Sequence, residues 1–195
     1  MLFGMAFALL PWAVRNHRVT GGRLVVTTLW VGPSLYDGLN SEANGESDMA
    51  FFQRVQLRDG KSEYEVDRHY RRKAWKFASD EPARAAELAV IKLARFWSPW
   101  PNASQFRQWW VVAITATVFG LTVIPAAWGA WLMRRRFRVL LLTVGPVLYF
   151  SAIHSVFVGS VRYRLPAEYP LSVLTAVGVV ALFRRLREFS KPEHS

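Results

Sequence analysis

The stretch VLLLTVGPVLYFSAIHSVFV, Val139–Val158, contains no Asp, Glu, Lys or Arg and one histidine, His154. A helix of about 20 such residues is about 30 Å long, the thickness of a bilayer's hydrocarbon layer. It is followed by the turn GSVRYRLPAEYP, Gly159–Pro170, and by a second apolar run from Leu171 to Phe183. The second run reaches bilayer length only if its helix starts near Pro166. The reading is therefore a span at 139–158, an aqueous turn at 159–165 and a span at 166–183.

Upstream, residues 110–133 form a further apolar run of bilayer length, followed at once by Arg134, Arg135, Arg136 and Arg138. The tail 184–195 is basic too, with Arg184, Arg185, Arg187 and Lys191. Short arginine-rich loops stay in the cytoplasm. The loop 134–138 and the tail are separated by two spans, so both are expected on the cytoplasmic side, with the 159–165 turn outside. The 195 residues are 52% hydrophobic with a mean hydropathy of +0.11, an average of apolar spans and a polar part. Nine Trp and thirteen Phe suit spans and interfacial belts. The net charge of +11 falls largely beside span ends, and long apolar runs argue against a nucleic-acid-binding domain. With no cysteine, disulfides, thiol nucleophiles and thiolate metal sites are excluded.

Residues 14–109 are the polar portion, expected outside the membrane as a small α+β subdomain. Leu24–Trp30 (LVVTTLW) is β-branched and aromatic, which predicts a strand or extended segment. Gly32, Pro33, Gly38, Asn40, Asn44 and Gly45 predict an irregular loop. Ser62 and Glu65 have capping-box spacing, which predicts a helix from Ser62 to about Ala78. Ser79–Pro82 starts a second helix that stops before Pro99. Residues 1–13 are too short to cross a bilayer, and they lack a cationic start and a cleavage site. They read as the last turns of a membrane helix ending near Pro11 and Trp12, with its earlier part missing. The expected fold is thus a mainly α-helical membrane protein of three complete transmembrane helices, a partial N-terminal one and that α+β subdomain.

The turn places Arg162, Tyr163 and Arg164 at the membrane surface. Arginine holds phosphate through a planar fork of donors, and it stays charged. The alternative for either arginine is headgroup anchoring or a salt bridge, for example to Glu168. His154 lies about one turn inside its span, where an ionisable group is a functional candidate or a helix-packing donor. Ser151 and Ser155, on the same helix, read as packing contacts. Arg15, Asn16 and His17 follow Trp12 and could hold phosphate or sugar hydroxyls; the alternative is a solvated loop. Asp37, Glu42, Glu46 and Asp48 suggest a divalent cation only weakly, because no calcium-loop spacing is present. No metal ligand, cofactor or catalytic residue is assigned. His69 reads as a surface residue, and Asn102-Ala103-Ser104 matches a glycosylation acceptor.

Four stretches belong together: PWAVRNHRV (11–19), TTLWVGPSLYDGLNSEANG (27–45), KLARFWSPWPN (92–102) and HSVFVGSVRYRLPAEYP (154–170). In order and spacing they resemble the C-terminal part of GT-C type membrane glycosyltransferases, nearest to the dolichyl-phosphate-mannose protein mannosyltransferase and aminoarabinose transferase-like family. The resemblance implies transfer of a sugar from a polyprenyl-phosphate donor to an acceptor at the outer face, in a bacterial inner membrane. It also implies an acidic general base in a first outer loop, for which this chain has no counterpart. The chain alone is accordingly expected to lack activity. A non-enzymatic membrane-anchored accessory or partner-binding protein is the alternative.

Overall fold

The computed structural model describes residues 2–26, 28–54 and 61–189. They are mostly helical, with no strand among the described residues. Their contacts divide into two units, Met1–Leu88 with Val156–Val158, and Ala89–Ser155 with Gly159–Ser195.

In the first unit, α1 (Leu2–Val19) runs on through Pro11, so the helix does not stop at residue 13. It ends at a glycine pair. Gly21 and Gly22 both have positive φ, and the Gly22 N–H donates to the His17 carbonyl, 2.8 Å, a bond that needs the left-handed turn glycine allows. The expected strand at Leu24–Trp30 is absent, and this corrects the α+β expectation. No neighbouring strand pairs with its described residues; the Val25 carbonyl instead accepts the Asn16 side-chain amide at 3.0 Å. β-Branched residues favour a strand only where a ladder can form.

The next correction concerns the loop expected from Gly32. Residues Val31–Gly38 are a helix, α2. Pro33 lies in its first turn, where the missing N–H costs nothing. The Gly32 N–H is capped by the buried Asp67 carboxylate, 2.6 Å away on α4 (Glu63–Asp80). A Cβ on Gly32 would collide with the Asp67 carbonyl, so this contact requires glycine. The capping box at the start of α4 is complete, with Ser62 and Glu65 bonding to each other's backbone N–H. Leu35, Leu39 and Ala74 form the unit's core, with Tyr36, Phe77, Ala85 and Phe157 packed against it. A short helix, α3 (Ala50–Arg54), adds Phe51 and Phe52 to an aromatic group around Tyr70.

Helix α5 (Pro82–Phe96) begins at the expected Ser-Asp-Glu-Pro signal and carries the chain into the second unit. There follow α6 (Trp109–Leu132), α7 (Phe137–Val156), a 3-10 turn at Val161–Arg164 and α8 (Leu165–Phe189). Three helical stretches, Trp109–Leu132, Phe137–Val156 and Val161–Glu188, are long and apolar enough to cross a membrane. Between 6% and 17% of their most apolar windows is buried within the protein, so most of the apolar surface faces outward. A surface of that kind is at home in hydrocarbon.

Helices α6 and α8 pack backbone against backbone. A Cβ on Gly129 would collide with the Leu174 carbonyl, and one on Gly178 with the Pro125 carbonyl. Thr175 donates to the Thr122 carbonyl at 3.0 Å, and Ala126 and Leu174 are fully enclosed. Small residues that let helices approach this closely stand in for the hydrophobic effect, which lipid cannot supply between helices. Gly178→Ala is expected to lower the thermal unfolding temperature in detergent, since overpacking costs about 1–3 kcal/mol. Gly120→Ala, on the same helix pair but meeting only ordinary contact with the Ile124 side chain, is expected to be neutral or slightly stabilising.

Candidate functional site

The site grows from the end of α5. The helix stops at Phe96, leaving carbonyls without intrahelical partners. Arg164, at the close of the 3-10 turn and buried, supplies the donors. Its Nη1 bonds to the Phe96 carbonyl (3.1 Å) and the Ser98 carbonyl (3.0 Å), while Nε bonds to Glu168 Oε1 at 2.6 Å. Its guanidinium also lies 4.6 Å from the Phe119 ring centre. Beside it, Asn102 donates to the Arg95 carbonyl and accepts from the Val161 N–H. The amide nitrogen of the glycosylation-like triplet is thus committed within the fold. Gly159 lies so close to α5 that a Cβ would strike the Lys92 carbonyl.

Next to this clamp stands a column of rings. His154 is stacked on Tyr163, with centroids 4.7 Å apart and 6° between planes, and on Phe96 at 5.4 Å and 18°. Arg162 lies 4.8 Å from the Tyr163 ring centre, and its Nη2 donates to the Tyr163 hydroxyl at 2.9 Å. Of the residues singled out from sequence, Arg162, Tyr163, Arg164 and His154 are therefore brought together. Ser151 accepts the Trp97 indole N–H at 3.1 Å, a packing contact.

Arg164 and Glu168 of the clamp line a groove of about 390 Å³. Its walls are mostly apolar, from α6 (Val118, Phe119), α8 (Leu171) and the Trp97–Pro101 segment. Arg162, Arg164 and Glu168 contribute its charge. Arg164 and Glu168 neutralise each other, which leaves the exposed Arg162 as the net cation.

Arg15 and Asn16 belong to the first unit. Asn16 is buried and ties the end of α1 to Val25, while Arg15 lies over Trp12 and donates to Asn16 Oδ1 at 3.3 Å. The acidic loop satisfies itself. Asp37 accepts from the Ser47 hydroxyl and the Asp48 N–H, and Asn40, Asn44 and Asp48 each accept a backbone N–H two residues on. Among the described residues no group of three or more His, Asp or Glu is placed to hold a metal ion. His69 is half-buried, with part of the ring at the surface. Burial and then the cations Lys73 and Lys61 lower its pKa.

Sequence reasoning missed Asp67 and Lys92. Asp67 is buried, pairs with Arg71 and caps α2. Lys92 is fully enclosed, and burial lowers its pKa from 10.5 to about 8. The signal was available: Leu88, Lys92 and Phe96 recur every fourth residue, so the lysine interrupts the buried stripe of α5.

The chain matches no family model, no curated protein and no solved structure.

Arg164→Lys is expected to destabilise the protein, because an ammonium cannot reach two carbonyls and a carboxylate in the same fork geometry. Arg162→Lys should leave the unfolding temperature unchanged. For Lys92, the folded chain releases its proton near pH 8 and the unfolded chain near 10.5. Between those values the unfolded state binds more protons, so this lysine makes stability rise with pH. In paired pH series of detergent unfolding, Lys92→Met is expected to remove that component of the slope.

Proposed function

We propose that this chain is a membrane protein that provides the C-terminal portion of a glycosyltransferase, with the groove beside Arg164 receiving the lipid phosphate of a polyprenyl-phosphate-sugar donor. The observation that carries this reading is an apolar groove on two membrane-length helices whose lining carries one net cation, Arg162. An isoprenoid chain is satisfied by the α6 and α8 walls, and a phosphate by an exposed guanidinium that the Tyr163 hydroxyl holds in place. Arg164 is better suited to building the site than to binding, since three of its donors are bonded within the fold. The sequence resemblance supplies the sugar transfer. The arginine-rich loop 134–138 and tail favour an outward 159–165 turn and polar part, and the resemblance favours a bacterial inner membrane. Catalysis would need an acidic base from elsewhere.

The test is retention of undecaprenyl phosphate by the purified chain in detergent, measured against undecaprenol. The phosphate should confer tighter retention, Arg162→Gln should abolish that advantage, and Val118→Trp should block both lipids by filling the groove. Equal retention of the two lipids would remove the donor role and favour the accessory reading.

A further inference from the structure

At the other end of the helix pair, arginines and tryptophans form a second column. Arg134 lies over the Trp131 ring at 4.3 Å, and its Nη1 donates to the Trp131 carbonyl at 3.0 Å. Trp131 is stacked on Trp128, with centroids 5.0 Å apart and 21° between planes. Arg185 of α8 lies over Trp128 at 5.1 Å. The order Arg134, Trp131, Trp128, Arg185 therefore links the C-terminal ends of α6 and α8. Arg135, Arg136, Arg138, Arg184 and Arg187 flank it in sequence, all exposed, and Glu188 is the one acid in 134–138 and 184–189.

Two effects make this more than scattered positive charge. An indole face holds a guanidinium in place by cation–π attraction, so less freedom is lost when an anion binds. Tryptophan also prefers the headgroup layer, which sets the column at the depth of lipid phosphates. Basic pockets between the ends of membrane helices attract anionic headgroups at about 1 kcal/mol per cation.

We propose that this column is a binding site for anionic glycerophospholipids, with the lipid phosphates on Arg134 and Arg185 and the glycerol esters against Trp128 and Trp131. The two guanidiniums are two rings apart, so each takes its own phosphate. A lipid carrying two phosphates can engage both.

The test is native mass spectrometry of the full chain in detergent, titrated with phosphatidylglycerol, diphosphatidylglycerol and phosphatidylcholine. The wild type should retain diphosphatidylglycerol about 30-fold and phosphatidylglycerol about 5-fold better than phosphatidylcholine. Arg134→Gln/Arg185→Gln should lose that preference. Arg135→Gln/Arg136→Gln, an equal loss of charge outside the column, should keep most of it. Inorganic phosphate at the same concentration should not displace the lipid. Absence of preference in the wild type, equal loss in both double variants or displacement by inorganic phosphate would each overturn the proposal. The first outcome denies anionic-lipid recognition, the second reduces it to diffuse charge, and the third makes it a general anion site.

Discussion

A buried cation that bonds to the backbone of a segment far upstream holds the second unit in register. Arg164 reaches carbonyls 66 and 68 residues earlier in the chain and pairs with a carboxylate one turn later. A guanidinium in a low-dielectric setting is costly unless its donors are met, and the end of α5 meets them with carbonyls that needed donors themselves. Each side removes the other's penalty. The turn before α8 is therefore fixed to the end of α5, and the Phe96–His154–Tyr163 stack is assembled at the same junction.

This arrangement separates two roles that a pair of neighbouring arginines leaves merged. Arg162 and Arg164 are equivalent in a sequence string: each has a fixed charge and adjoins Tyr163. In space one is buried and the other exposed. The difference follows from the 3-10 turn, in which alternate residues cannot share a face. On the proposed reading, binding falls to the exposed cation, while the buried one maintains the wall of the groove.

What could be read from sequence was whatever is encoded locally. The spans were legible because an apolar run needs no knowledge of its partners; their helices begin and end within a few residues of the expected limits, and only the last continues well past Phe183. Ser62 and Glu65 announced a helix because both halves of the cap lie within one turn. Helix α2 was hidden because its cap, Asp67, is supplied by a segment 35 residues away, and glycine and proline suggested a loop. The strand at Leu24–Trp30 failed for the complementary reason, since composition favours pairing but cannot provide a neighbour. Within the candidate site the four residues were identifiable, but the division of labour between the arginines depended on distant carbonyls. Lys92 was concealed by its charge, although its position in the helical stripe marked it as internal.

The two hydrogen bonds of Asn102 have a consequence for production of the protein. Its amide nitrogen faces the Arg95 carbonyl and its oxygen the Val161 N–H, so a glycan on that nitrogen would crowd the junction between the end of α5 and the turn. On the proposed outward orientation, a host that decorates such triplets during translocation would attach the sugar before the turn had closed and hinder its closure. Yield in such a host would then be governed by a race between modification and folding, which a bacterial host without that machinery never runs.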